Sequence, residues 1–230
     1  QSGLTYVWLS GFKSDMSGTK VTELESWAKE AGHGFMAFDY SGHGVSGGRF
    51  EDGTISAWRE DALAAIETCT TGDLVLVGSS MGGWMALLSM LALKQRVKGM
   101  VLIAPAPDFT EKLMWPEFDE AAKKEIMEDG VHLRPSDYGD PYPITRALIE
   151  DGKTWSILDG PIVFDGPVRI LQGMEDADVP WQHAERLVLA MTTSDLVFQL
   201  IKDGDHRLSR PQDIARLKET CAEISLAIQA

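Results

Sequence analysis

A serine in a glycine-rich turn is the first residue of this sequence whose surroundings suggest chemistry. Residues 78–83 read Gly-Ser-Ser-Met-Gly-Gly, which fits the pattern G-x-S-x-G with Ser80 at its centre. An apolar run precedes this turn, and a stretch of helical period follows it at once. Such a turn can lift a serine above a sheet, and it needs glycines because a Cβ atom would collide there. We therefore favour a nucleophilic serine over the alternative, a turn that binds phosphate at a helix N-terminus.

A serine hydroxyl is a poor nucleophile until a base removes its proton, so the hypothesis requires a histidine. His206 lies between the last predicted strand and the last predicted helix, whereas His43 precedes the serine in the sequence. In the architecture that carries this serine motif, the chain order is serine, acid, histidine. We predict that His206 is the base and that His43 braces a loop. Three further histidines are predicted to be surface or packing residues: His33, His132 and His183.

The acid that orients the base should follow the strand before His206. Residues 173–180, Gly-Met-Glu-Asp-Ala-Asp-Val-Pro, supply three carboxylates after a predicted strand. We choose Asp176, in the arrangement G-x-x-D-x-x-V-P, where Pro180 can begin the next helix. Asp178 is the second choice and Glu175 the third, because a solvated acidic turn also fits one of these residues.

Cleavage of an ester or thioester places negative charge on the carbonyl oxygen, so backbone N–H donors must already face it. In this architecture one donor belongs to the residue after the nucleophile, here Met81. The second belongs to the loop after the first strand, and we assign it to Phe12, next to Gly11. If residues 10–12 are only a turn, Met81 is the one donor that remains.

The order of elements indicates how these residues are positioned. Short apolar runs alternate with stretches of helical period, which predicts an α/β fold with a mostly parallel sheet flanked by helices. Strands are predicted at residues 5–9, 34–39, 74–78, 98–104, 168–173 and 196–202. Helices are predicted at residues 19–31, 54–69, 81–94, 181–191 and 211–228.

One long interval, residues 108–166, breaks the alternation and is too long for a plain connection. We interpret it as an inserted cap of short helices lying over a pocket, with residues 1–107 and 167–230 forming the core. Its tryptophan and methionine residues could line an apolar acyl pocket, but packing in the cap is the favoured interpretation.

Net charge and hydropathy exclude several kinds of partner. The chain has 35 acidic and 21 basic residues, a formal charge of -14, which would repel a phosphate backbone. We therefore expect no nucleic-acid partner. Apolar runs stay short of the roughly 18 residues that cross a bilayer, so we predict no membrane span. Cys69 and Cys221 lie far apart without metal-ligand spacing, and we expect buried free thiols.

Several segments resemble one particular family, and the likeness runs over nearly the whole chain. They are Leu9-Ser10-Gly11-Phe12 with Gly18-Thr19-Lys20, Phe38-Asp39-Tyr40-Ser41-Gly42, Val77-Gly78-Ser79-Ser80-Met81-Gly82-Gly83-Trp84, Gly173-Met174 with Asp176 and Val179-Pro180-Trp181, and Asp205-His206-Arg207. The sequence is similar to the α/β-hydrolases related to the mitochondrial palmitoyl-protein thioesterase that also cleaves acyl glucuronides.

The resemblance implies the α/β-hydrolase fold and cleavage of acyl esters or thioesters without a cofactor or metal. It places the nucleophile at Ser80, the acid at Asp176 and the base at His206. The cap, where substrate is chosen, matches least well. Members normally carry further strands ahead of the segment equivalent to residues 5–9, so we expect a sheet that lacks them.

The leading hypothesis is a serine hydrolase acting on a small acyl ester or thioester, or on an acylated protein. Two alternatives remain: a hydrolase of C–C bonds that uses the same triad, and a ligand-binding or sensor protein with weak catalysis. The expected location is the cytoplasm of a bacterial cell, or an organelle matrix after removal of a targeting segment. The sequence does not specify an oligomeric state.

Overall fold

The computed structural model of the protein describes residues 3–135 and 141–229. Six strands form one parallel sheet in the order β2-β1-β3-β4-β7-β8. These strands are β1 (Thr5–Leu9), β2 (Gly34–Ala37), β3 (Leu74–Ser79), β4 (Val97–Ile103), β7 (Val168–Gly173) and β8 (Leu196–Ile201). Because all six run the same way, the loops after them meet at one edge of the sheet. The predicted strands are confirmed, with ends that differ by at most two residues.

Helices cover both faces of this sheet. The longer ones are α1 (Thr19–Glu30), α2 (Ile55–Cys69), α3 (Met81–Ala92), α7 (Trp181–Ala190) and α8 (Pro211–Gln229). Alternate residues of each strand point to opposite faces, and the strands are apolar on both, as expected of a buried parallel sheet. Val7 and Leu76 belong to the core on one face, whereas Trp8 and Val77 belong to the core on the other. The predicted α/β architecture is thus confirmed.

Helix α2 shows how local sequence produces one of these elements. Thr54 precedes the helix, and its hydroxyl accepts a hydrogen bond from the Ala57 N–H at 3.1 Å, which caps the helix N-terminus. Ile55, Trp58 and Ile66 recur on one helical face and are fully buried. This face packs into the hydrophobic core that also contains Val7 and Leu76 of the sheet.

The segment predicted as a cap contains helical turns and also two strands that were not predicted. The strands β5 (Val131–Arg134) and β6 (Tyr142–Thr145) pair antiparallel in a separate sheet. The helical parts are the π-helical turns Thr110–Met114 and Glu125–Asp129, with α4 (Trp115–Glu117), α5 (Glu120–Lys124) and α6 (Arg146–Thr154). Residues 136–140 of the predicted cap lie outside the described residues. The prediction of helices alone was wrong because β5 and β6 are only four residues long and are stabilised by pairing with each other.

One prediction about the cysteines was also wrong. Cys221 is buried in α8, but Cys69 is exposed. Cys69 is the last residue of α2, where the helix ends and its final turn extends beyond the packed face. Among the described helices, none combines the length and the apolar character needed to cross a bilayer.

Candidate active site

Three residues predicted from the sequence lie together at the carboxyl edge of the sheet. Ser80 follows β3, Asp176 lies in the loop after β7, and His206 lies in the loop after β8. The His206 Nε2 atom is 3.1 Å from the Ser80 hydroxyl oxygen, and its Nδ1 atom is 2.8 Å from Asp176 Oδ2. A hydroxyl, an imidazole and a carboxylate therefore form one hydrogen-bonded triad. Such a triad can carry a proton away from an attacking oxygen.

The turn at Ser80 is as tight as the motif predicts. Ser80 has φ +56° and ψ -120°, a conformation that non-glycine residues adopt only under strain. A Cβ atom at Gly82 would lie 1.9 Å from the Leu9 carbonyl oxygen, and one at Gly78 would lie 2.3 Å from the Gly82 carbonyl oxygen. These glycines allow β1, β3 and the start of α3 to approach closely enough to hold the serine in place.

Replacing Gly82 by alanine is expected to lower the free energy of unfolding by about 1–3 kcal/mol or more, because the added methyl group must displace the β1 backbone. Urea unfolding measures this change. Gly160→Ala is the matched control, since a Cβ atom there meets no atom within 4 Å. If the two variants were equally stable, the close approach at Gly82 would be contradicted.

Asp176 is distinguished from its acidic neighbours by burial and by its hydrogen bonds. Its side chain is fully buried, and its Oδ1 atom accepts the N–H groups of Asp178 and Val179 at 2.9 and 2.8 Å. Asp178 and Glu175 are exposed. The structure therefore brings Asp176, the first choice from the sequence, onto the imidazole of His206.

Both residues predicted to stabilise an oxyanion lie close to Ser80. Met81 is the first residue of α3, and the N–H groups in the first turn of a helix have no partner within the helix. Phe12 follows Gly11, where a Cβ atom would come within 3.3 Å of the Ser80 Cβ. The β1 loop thus passes against the serine, and Phe12 and Met81 line the same cavity as Ser80.

This cavity has a volume of about 740 Å³, which suits a small-molecule ligand. The apolar residues around it include three from the segment predicted as a cap: Phe109, Leu113 and Met114. Trp115 and Trp155 are not among the described residues that line it, and they stack with Lys123, Lys153 and Arg59 instead. For these tryptophans the interpretation as packing residues is supported.

Two residues that were not predicted from the sequence support the acid and the base. Gln172, buried near the end of β7, donates hydrogen bonds from Nε2 to Asp176 Oδ2 at 3.1 Å and to the Val179 carbonyl at 3.0 Å. A polar glutamine near the end of an apolar strand was the available signal.

Lys20 supports the loop that carries the base. It donates from Nζ to the carbonyl of Arg207, the residue after His206. Burial lowers the pKa of Lys20 to about 8, partly opposed by Asp205.

Three side chains at this site are of types that can bind metal ions. Within residues 3–135 and 141–229, Asp176, Asp178 and His206 offer ligand atoms that lie within 4.8 Å of one another. Both nitrogens of His206 already face hydrogen-bond partners, Asp176 and Ser80. We therefore assign no metal ligands, and a cofactor-free site stays a prediction.

Comparison with known proteins supplies the family. The sequence matches the description "Alpha/beta hydrolase family" over residues 6–217, which is most of the chain. The chain belongs to the alpha/beta hydrolase family. Within this family it is 33% identical, over 220 residues, to the human protein named "Palmitoyl-protein thioesterase ABHD10, mitochondrial". The aligned region covers 95% of this chain and 72% of the human protein.

Two solved structures of the alpha/beta hydrolase fold are also similar to this chain. A protein from Agrobacterium vitis S4 described as a hydrolase is 48% identical, with a TM-score of 0.94 over 96% of this chain and 88% of that one. Mouse alpha/beta hydrolase domain-containing protein 10 is 32% identical, with a TM-score of 0.87 and the same coverage. The resemblance inferred from the sequence motifs is confirmed, and the chain is a hydrolase by these relationships.

Proposed function

We propose that this alpha/beta hydrolase cleaves carboxylic esters or thioesters through an acyl-enzyme formed at Ser80. The observation that carries the proposal is the set of hydrogen bonds from the Ser80 hydroxyl through His206 to Asp176, with Ser80 and His206 lining a cavity. Names of relatives that include thioesterase support the choice of an acyl substrate.

The geometry suggests a role for each group. Ser80 Oγ attacks the acyl carbon while His206 Nε2 takes its proton and then passes it to the leaving alcohol or thiol. Asp176 holds the imidazole with a hydrogen on Nδ1 and stabilises the imidazolium when it forms. The backbone N–H groups of Met81 and Phe12 donate to the oxyanion. Water activated by His206 then releases the acid and restores Ser80.

The cavity wall indicates which part of the substrate lies where. Phe12, Phe109, Leu113 and Met114 offer an apolar surface beside Ser80, which fits an acyl chain. Substrates with a longer acyl chain should therefore bind more tightly, until the apolar surface is filled. The name of the human relative assigns that protein to mitochondria, which agrees with the organelle-matrix alternative for this chain.

Labelling with a fluorophosphonate tests the proposal directly, because this probe phosphonylates serines that a base activates. We expect one label per chain, on the peptide that contains Ser80, and no label in Ser80→Ala. Ser89→Ala is the matched control: Ser89 is a buried serine of the same helix, α3, and its hydroxyl has no hydrogen-bond partner among the described residues. It should be labelled like wild type.

The labelling result also separates the proposal from its rivals. A protein that only binds ligand would label slowly or not at all, and a label on another serine would contradict the assignment. A panel of esters, thioesters and acyl glucuronides with one common acyl group would then identify the leaving group. A diketone analogue in the same panel tests cleavage of a C–C bond.

A further inference from the structure

His43 is a buried histidine that the proposed reaction does not use. It lies in the loop after β2, and only 3% of its surface is exposed. The rings of Tyr40, Phe50 and Trp58 pack against it, with centroids 5.6, 5.1 and 5.1 Å from that of the imidazole. Because three rings fix the orientation of the imidazole, each of its nitrogens faces a defined partner.

Those partners determine where the imidazole carries its hydrogen. His43 Nδ1 is 3.2 Å from the Ser41 carbonyl oxygen, which can only accept a hydrogen bond. His43 Nε2 is 3.1 Å from the backbone nitrogen of Lys13, whose N–H can only donate. The hydrogen therefore resides on Nδ1, and Nε2 presents a lone pair to Lys13.

The loop after β2 thus accepts two backbone hydrogen bonds from the loop after β1. His43 binds the N–H of Lys13, and Asp39 Oδ1 accepts the N–H of Met16 at 2.7 Å. Lys13 has φ +54°, a left-handed conformation that a non-glycine residue keeps only when its surroundings hold it there. The hydrogen bond from Lys13 to His43 is one interaction that holds it.

Aromatic packing also connects the side chain of Phe12 to the residues around His43. The Phe12 ring lies 4.9 Å from that of Phe50 and 5.8 Å from that of Trp58, centroid to centroid. These two rings also pack against His43. The side chain of Phe12 and the peptide group that follows it are therefore fixed by one cluster around His43.

We propose that His43 is a positioning residue that fixes the backbone of Phe12 as an oxyanion donor, by accepting the N–H of Lys13. The inference rests on the proposed function and adds to it a residue that touches neither substrate nor Ser80. Phe12 and Lys13 contribute consecutive peptide groups, so anchoring the second restricts rotation of the first. Displacement of a catalytic donor by about 1 Å can lower a rate about 100-fold, so such an anchor matters.

The electrostatic surroundings of His43 favour the form that this role requires. Burial lowers the pKa of His43, and the positive charge of Lys13 acts in the same direction. The hydrogen bond to the Ser41 carbonyl and the charges of Asp39 and Asp61 act against it. Burial also raises the pKa of the adjacent Tyr40 well above its usual value, so that phenol stays uncharged. A protonated imidazole would carry a hydrogen on Nε2 and could not accept the Lys13 N–H.

Two substitutions at His43 test the proposal on the full chain. His43→Leu keeps an apolar side chain but removes the acceptor, and we expect kcat for an acyl ester to fall about 10- to 100-fold with little change in KM. His43→Gln can place its amide oxygen near the position of Nε2, and we expect its kcat to return to within about 5-fold of wild type.

His33→Leu is the control for general destabilisation. His33 also packs against aromatic rings, those of Tyr6 and Trp27, and burial lowers its pKa as well. It precedes β2, whereas His43 follows it, so it lies at the opposite end of the sheet from Ser80. We expect wild-type kcat and KM from this variant, whatever its melting temperature.

Two kinetic results would overturn the inference: an unchanged kcat in His43→Leu, or equal losses in the leucine and glutamine variants. If His43→Leu does not fold, the nitrogen NMR spectrum of the wild-type imidazole decides, since it should show hydrogen on Nδ1 and a bare Nε2. A hydrogen on Nε2 would refute the role. Because this spectrum needs no substrate, a wild-type protein without esterase activity would refute the proposed function and leave the test of His43 intact.

Discussion

Replacing Ser80 by alanine is expected to lower kcat/KM for a p-nitrophenyl ester by roughly 10⁴- to 10⁶-fold. The substitution removes the one oxygen that lies 3.1 Å from the base, and no other hydroxyl is shown within hydrogen-bond distance of His206 among the described residues. Without it, no acyl-enzyme can form. Initial rates measured against a buffer blank give the size of the loss.

The residual rate and a matched variant complete this test. Backbone donors and substrate binding remain in Ser80→Ala, so a small rate above that of the blank is expected. Ser89→Ala, which removes a hydroxyl from the middle of the same helix, should keep wild-type kcat/KM. Wild-type turnover by Ser80→Ala would contradict the assignment of the nucleophile, and equal losses in both variants would point to a damaged fold.

Replacing Asp176 by asparagine is expected to lower kcat about 10⁴-fold, although the side chain keeps its size. The reason lies in the hydrogen bonds of its two oxygens. Oδ1 accepts two backbone N–H groups, from Asp178 and Val179, so the asparagine oxygen must stay at that position. The new NH₂ group then replaces Oδ2 and faces His206 Nδ1. It would donate to Nδ1 and leave the hydrogen on Nε2, where the imidazole cannot take a proton from Ser80.

Contact with Gln172 is expected to make Asp176→Asn less stable as well as less active. Gln172 Nε2 donates to Asp176 Oδ2 at 3.1 Å in the wild-type protein, and in Asp176→Asn it would meet another donor. We therefore expect a lower free energy of unfolding as well as a lower kcat. Combining kinetics with urea unfolding separates the two effects, because the catalytic loss should persist under conditions where the variant is fully folded.

Asp178→Asn is the matched control and also tests the second choice from the sequence. Asp178 is exposed, and its carboxylate is two residues from the one that contacts His206. We expect its kcat to fall far less than that of Asp176→Asn, because Asp176 and not Asp178 contacts His206 Nδ1, although Asp178 lines the cavity. A large loss in Asp178→Asn together with a small one in Asp176→Asn would reverse the assignment of the acid.

Much of the fold could be predicted because its signals are local. Apolar runs of strand length, separated by stretches of helical period, locate β1, β3, β7 and most of the helices to within two residues. The hairpin of β5 and β6 was missed because its strands are short and stabilised by pairing with each other. Cys69 was wrongly predicted to be buried, because helical periodicity does not indicate where a helix extends beyond the surface against which it packs.

For the candidate site, the sequence by itself determined the residue types and their order along the chain: a serine in a glycine turn, then acids after a strand, then a histidine. Only the tertiary structure decided that Asp176 rather than Asp178 faces His206, and that His43 binds Lys13. The physical reason is the separation along the sequence over which each kind of interaction acts. Turn chemistry and periodicity act over a few neighbouring residues, whereas the contact between Ser80 and His206 joins positions 126 residues apart, and parallel strand pairing brings them together.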